Sequence, residues 1–194
     1  MKTIGENVSN EIVIKNSRFI ALFYKISSVD IEKFLDEVKE LYPKATHCCY
    51  AYIYNDIKRF SDDGEPGGTA GMPILNVLEK EELNNTLCVV VRYFGGIKLG
   101  AGGLVRAYTK AVTETLKIAD FLYLEKGYKV RISFKYNEEK QINYLLKNDN
   151  ILEKSFNQII TYTALVDEDT IKKLSSFNYE ILENVYIEKK LILN

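Results

Sequence analysis

Three groups of side chains in this chain carry chemistry. The first is a run of acids, Asp62, Asp63 and Glu65, inside a glycine-containing stretch at 61–71. Carboxylates this close can ligate a hard cation through oxygen, divide acid and base roles, or neutralise nearby cations. The second is the single histidine, His47, followed directly by Cys48 and Cys49. Imidazole titrates near neutrality, and a thiol beside it becomes a nucleophile when a third group orients the pair. In a strand Cys49 shares a face with His47, whereas Cys48 faces the other way. A structural or ligand-binding histidine near the acidic stretch is favoured over a Cys–His nucleophile.

The third group is richest. Residues 92–110 contain Arg92, Gly95, Gly96, Lys98, Gly100, Gly102, Gly103, Arg106 and Lys110. Five of the chain's eleven glycines fall there. Glycines at a strand-to-helix junction expose several backbone N–H groups, and the helix dipole favours an anion at that point. Arg106 and Lys110 are four residues apart and neighbours on a helix, with Glu114 continuing the stripe. Tyr93, Phe94 and Tyr108 lie close in sequence and can stack on bases or fill a core. Two further readings stay open. The glycines can simply permit tight strand–helix packing, and Arg59, Arg92 and Arg106 can pair with Asp62, Asp63 and Glu65.

Established motifs exclude some chemistry. Val105 occupies the third position of the dinucleotide G-x-G-x-x-G/A pattern, and no Lys-Ser or Lys-Thr pair completes a P-loop. The acids do not fit a calcium-loop pattern, and no Cys/His spacing suits zinc. No metal and no cofactor is therefore expected, and no catalytic residue is assigned. The expected binding set is His47, the three acids and the nine residues of the third group.

The elements that must hold these residues follow from periodicity. Strands are expected at 11–15 and 18–26, turning at Asn16-Ser17. A helix capped by Ser27 or Ser28 carries Ile31, Phe34, Leu35, Val38, Leu41 and Tyr42 on one face, and Pro43 stops it. A strand at 47–55 leads into a long loop at 56–71, then a short helix at 72–81 with Pro73 in its first turn. The apolar run 87–91 centres a strand at 86–93, followed by the glycine loop and a helix at 104–118. A second series then begins. A strand at 128–136 and a helix from Asn137 to Lys147 come first. Strands at 151–156 and 159–166, a helix capped by Asp167 and a strand at 179–188 complete a β-α-β-β-α-β order, the ferredoxin-like split. Domains are expected at 1–125 and 126–194.

A net charge of −1 provides no global field to draw nucleic acid, so any such contact must be local. Three cysteines without a plausible mutual pairing fit a reducing compartment. No signal-peptide pattern and no apolar run of membrane-spanning length is present, so a cytoplasmic protein without membrane association is expected.

The stretch Arg92 to Tyr108, the stretch Ser61-Asp62-Asp63-Gly64-Glu65-Pro66-Gly67-Gly68-Thr69-Ala70-Gly71-Met72-Pro73-Ile74-Leu75, and Ala45-Thr46-His47 with Ala51-Tyr52 resemble the motifs of the YigZ/IMPACT family. The resemblance covers roughly residues 1–125 strongly, and the remainder looks like the small second domain of bacterial members. It implies an α+β protein: a ribosomal-protein-like α/β domain, of a type also found in elongation factor G, then a ferredoxin-like domain resembling another domain of that factor. Eukaryotic relatives act in translational control through a regulator of a starvation-responsive kinase, and they carry an additional domain. The resemblance therefore implies a translation-associated protein whose partner is RNA, the ribosome or a translation-regulatory protein. The alternative is an enzyme acting on a phosphorylated or other anionic small molecule held by the glycine-rich loop.

Overall fold

The computed structural model describes residues 1–189; residues 190–194, the end of the expected second domain, lie outside the described residues. The chain divides into two compact units, Met1–Tyr123 and the residues from Leu124 onward. Its architecture is mixed α and β, with helices packed on sheets.

In the first unit, strands β2 (Val8–Ile14), β3 (Ser17–Lys25), β4 (His47–Tyr54), β5 (Ile57–Ser61) and β6 (Thr86–Tyr93) form an antiparallel sheet in the order β2-β3-β6-β4-β5. Helix α1 (Glu32–Leu41) covers one face, and α2 (Gly71–Lys80) with α3 (Ala101–Leu116) covers the other. Alternate residues of each central strand therefore enter two cores. Phe19, Ala21, Phe23, Cys49, Ala51, Cys88 and Val90 pack with α2 and α3. Ile20, Leu22, Tyr24, Tyr52, Leu87, Val89 and Val91 pack toward α1. Burial on both faces explains why 87–91 is continuously apolar.

The structure corrects several local expectations. The supposed loop at 56–71 begins with strand β5, paired to β4. Its side chains are largely exposed, so an edge strand of Ile57, Lys58, Arg59 and Phe60 lacks the apolar pattern that marks a buried one. The first hairpin turns at Lys15-Asn16, both with positive φ, as the tight turns matching strand twist require, and not at Asn16-Ser17. Neither Ser27 nor Ser28 caps α1; the helix starts at Glu32 without a side-chain cap, and Ser28 Oγ instead accepts from Asp30 N–H. Helix α3 starts at Ala101, so Gly102 and Gly103 lie in its first turn and not in the loop. Glycine has no side chain to mark a buried face, so apolar periodicity does not register that turn.

Strand β1 (Lys2–Ile4), absent from the sequence-based expectation, pairs with the start of β7 (Phe121–Phe134). Strand β7 thus begins seven residues before the expected 128. From Leu124 onward it belongs to the second unit, with β8 (Asn150–Phe156), β9 (Ile160–Asp167) and β10 (Asn178–Glu188). The antiparallel order there is β10-β7-β9-β8. Helices α4 (Glu139–Leu145) and α5 (Glu168–Leu174) connect the strands. Val130, Ile132, Phe134, Ile142, Leu146, Ile160, Tyr162, Val166 and Leu174 make its core, with Leu145 half-buried at the margin. Asp167 caps α5, its carboxylate accepting from Thr170 N–H at 2.7 Å. Asn137 does not cap α4; it sits in a 3-10 turn at Tyr136–Glu138, where Glu138 accepts from Lys135 N–H.

Gly95 shows how tightly the glycine segment is seated. A Cβ there would lie 2.1 Å from the carbonyl carbon of Asn16, inside the backbone of the first hairpin. Gly100 has open space but a φ of +70°. Gly95→Ala should therefore cost more than Gly100→Ala: about 2 kcal/mol or more for the backbone collision, against about 1 kcal/mol for the conformation alone. Urea unfolding of the two variants beside the parent checks the order; equal costs would contradict it.

Candidate functional site

The two glycine-rich stretches meet at one end of the first sheet. Strand β6 runs out into residues 94–100 there, β5 ends at Ser61, and β4 begins at His47 directly opposite Arg92. Residues 62–70 fold back over this end. Glu65 is driven inward, its side chain only 3% exposed, against Arg92 at 6%. Arg92 Nη1 donates to Glu65 Oε1 at 2.6 Å, and the Tyr108 hydroxyl donates to the same oxygen at 2.8 Å. The guanidinium lies between the rings of Phe19 and Phe94, 5.5 Å from each centroid. This resolves the open choice for Arg92: it is an internal partner of Glu65 and not a surface ligand for an anion.

The other acids are also engaged. Asp62 accepts from the N–H groups of Gly68, Ala70 and Gly71, which places its charge at the start of α2. Burial pulls its pKa up, but the Gly68, Gly71 and Ala70 bonds together outweigh this and hold it below the ordinary 3.8. Asp63 accepts from Cys48 N–H at 2.6 Å. The Asp63 carbonyl lies 2.7 Å from His47 Nδ1, and because a carbonyl only accepts, Nδ1 carries a proton. His47 Nε2 then faces Glu65 Oε2 at 3.9 Å. Among the described residues no group of three or more His, Cys, Asp or Glu is arranged to hold a metal ion.

Cys49 shares the His47 face, and its thiol is held in the protonated form near neutrality. Burial pushes its thiol up to about 12, and the charges of Glu65, Asp63 and Asp62 add to this against an opposing bond from Tyr108. Its sulfur lies 2.9 Å from the Asp62 carbonyl and 3.3 Å from the Tyr108 hydroxyl, a donor's position. The phenol of Tyr108 is raised as well, first by burial and then by Cys49 and Glu65. Cys48, half-buried on the opposite face, is raised by burial and by Asp63.

The cationic side is different. Lys98 is exposed in the loop, and Arg106 and Lys110 are exposed on α3. No ion pair to Lys98 or Arg106 occurs among the described residues, while Lys110 lies in the field of Glu114, which is bonded to Lys117. The N-cap of α3 is Gly100, without a side-chain cap, and no acid occupies the first turn. Gly95 and Gly96 hold the loop, Gly95 donating to Ser17 Oγ and Gly96 adopting a φ of +82°. Arg106 Nη1 reaches back over Gly102, 3.7 Å from where a Cβ would stand, and Gly103 abuts Leu99. Arg59 is elsewhere, on β5, donating to the Lys58 carbonyl. Sequence reasoning did not identify Tyr108 as the second donor to Glu65; its place in the apolar stripe of α3 was the available signal. Thr46, part of the Ala45-Thr46-His47 motif, and Ser17 were not expected to bind the loop, yet their hydroxyls accept from Phe94 and Gly95 N–H.

Two outcomes follow. Arg92→Leu should destabilise by about 3–5 kcal/mol, because it strands a buried carboxylate, and urea unfolding at neutral pH measures this. The depressed Asp62 pKa works in the acid range. Its contribution is complete above the unfolded value near 3.8 and is lost as pH falls through the lower folded value. Acid unfolding of Asp62→Asn should therefore start from a lower stability and show a shallower loss below about pH 4; an unchanged acid limb would contradict the assignment.

The comparisons bear on this same region. The family model described as the Impact N-terminal domain matches residues 15–116. A relative from Bacillus subtilis (strain 168), IMPACT family member YvyE, is 37% identical over 191 residues, covering 92% of this chain and 85% of its own length. The Escherichia coli (strain K12) member YigZ is 44% identical over 110 residues, 54% of each chain. A crystal structure titled only as that of a hypothetical protein aligns with a TM-score of 0.73 at 27% identity, covering 97% of this chain and 98% of that one. With the domain model spanning both glycine-rich stretches, and a relative matching along nearly the whole length, this chain belongs to the IMPACT family.

Proposed function

We propose that this protein is a translation-associated, cytoplasmic binding protein whose first domain, residues 1–125, holds RNA, free or in the ribosome, through Lys98, Arg106 and Lys110. The observation that carries this reading is the separation of charge at the sheet end. The acids are consumed internally, with Glu65 on Arg92, Asp62 on three N–H groups and Asp63 on Cys48. Lys98 and Arg106 remain exposed beside the start of α3, a helix without a side-chain cap. An anion gains there both from full charges and from oriented backbone donors. Family membership adds the link to translation. A translation-regulatory protein presenting an acidic surface would use the same cations.

We read the second unit's antiparallel order β10-β7-β9-β8, with its two helices, as a ferredoxin-like domain covering residues 126–194. The first is read as ribosomal-protein-like, both in the manner of elongation factor G domains. The rival enzyme reading needs a free carboxylate for metal or base, and the engaged state of Asp62, Asp63 and Glu65 weighs against it.

With a net charge of −1 the attraction is local, so affinity should be modest and strongly salt-dependent. Three phosphate contacts on a single strand give a log–log salt slope of about −2. Arg106→Ala should weaken binding and make the slope shallower by about 0.7. Replacing Lys172 and Lys173 in the second unit should do less. Fluorescence anisotropy over a salt series tests this; no complex with RNA or ribosomal particles at low salt, or binding that survives loss of all three cations, would sink it.

A further inference from the structure

Of the three aromatic residues within 92–110, two are occupied. Tyr108 is fully buried on Glu65, and Tyr93 bonds Pro43 through its hydroxyl while Arg18 lies over its ring. Phe94 differs. It is 46% exposed, although the chain on either side is tightly held. Its N–H donates to Thr46 Oγ1 at 2.9 Å, and the next N–H, of Gly95, donates to Ser17 Oγ at 3.1 Å. The ring rests on the guanidinium of Arg92, which is itself fixed by the buried Glu65. An aromatic ring on the surface that is anchored through backbone and from beneath has little conformational freedom left to lose on contact with a ligand. Ile97, equally exposed, and the unpaired Lys98 follow within the same loop.

We propose that Phe94 is a stacking platform for an unpaired base, so that the nucleic acid recognised at this site is single-stranded RNA and not a duplex. The proposal rests on the RNA reading above and adds the substrate class to it. Lys98 and Arg106 supply sequence-independent attraction to phosphate, which single strands and duplexes satisfy alike. Only an unpaired base offers its face to an exposed ring, because in a duplex the faces are stacked on one another. Arg92 beneath the ring adds a cation–π contact that fixes its orientation. Phe94 thus links the buried pair to the surface: Glu65 holds Arg92, Arg92 holds Phe94, and Phe94 presents its ring.

The chain has no tryptophan, so Phe94→Trp installs a single reporter at the platform. Its fluorescence should be quenched by an unstructured, uridine-rich oligoribonucleotide and much less by the same strand annealed to its complement. Phe94→Leu keeps an apolar cover over Arg92 but removes the π face. It should unfold like the parent, keep the salt slope, and lose roughly fivefold or more of its affinity for the single strand while duplex affinity stays level. If Phe94→Leu binds the single strand as tightly as the parent, or the tryptophan stays unquenched in a formed complex, the platform is wrong and the cationic RNA site stands. If the unmodified protein binds neither form at low salt, both readings fall together.

Discussion

The Glu65–Arg92 pair constrains everything around it. Removing two full charges from water costs several kcal/mol each, and the cost is offset only when geometry and further hydrogen bonds are good. Here Glu65 Oε1 receives both Arg92 and Tyr108, so three elements, the acidic loop, β6 and α3, are tied through one oxygen. The loop must fold back over the sheet end to deliver Glu65. Asp62 and Asp63, adjacent at the beginning of the turn, fasten it in two directions, one to the start of α2 and the other to the start of β4. Arg92 Nε is buried without a hydrogen-bond partner, so satisfaction is incomplete, and the rings of Phe19 and Phe94 stand against the guanidinium in place of further oxygen acceptors.

A second consequence is electrostatic. Carboxylates that would otherwise neutralise the exposed cations are committed inward or to backbone donors. In a chain with almost no net charge, Lys98 and Arg106 are thereby left exposed and without an ion pair among the described residues. The same arrangement leaves the thiol and the imidazole of the cluster already engaged. Cys49 stays protonated near neutrality because burial and neighbouring acids oppose a thiolate, and His47 spends one nitrogen on the Asp63 carbonyl.

Most of the architecture could be read from periodicity because both faces of the first sheet and one face of the second are buried. The apolar run of β6 and the alternating β9 announce themselves in this way. What escaped reading lay at edges and ends. β5 is an exposed edge strand, β1 has three residues, and the first turn of α3 is made of glycines that carry no apolar signal. At the site, residue types suggested that the acids and arginines meet, but not which would pair. That choice depends on register. His47 opposite Arg92, and Arg92 opposite Phe19, bring Arg92 to the face that α3 covers, whereas Arg106 points away on the helix exterior.

The starts of α2 and α3 complete the argument. Both helices begin at the same end of the sheet, and each presents N–H groups that no helical carbonyl can satisfy. At α2 the protein supplies its own anion, since Asp62 accepts from Ala70 and Gly71. At α3 it supplies none: the N-cap is glycine, the first turn holds no acid, and the charged residues closest in sequence are Lys98 and Arg106. Like charge gathered at the positive end of a helix dipole is unfavourable in the free protein. On the function proposed above, an incoming phosphate would reverse that balance by meeting Lys98, Arg106 and the N–H groups of the first turn. The two helix starts at one sheet end therefore differ in a single respect: α2 is met by the protein's own carboxylate, and α3 has no side-chain cap.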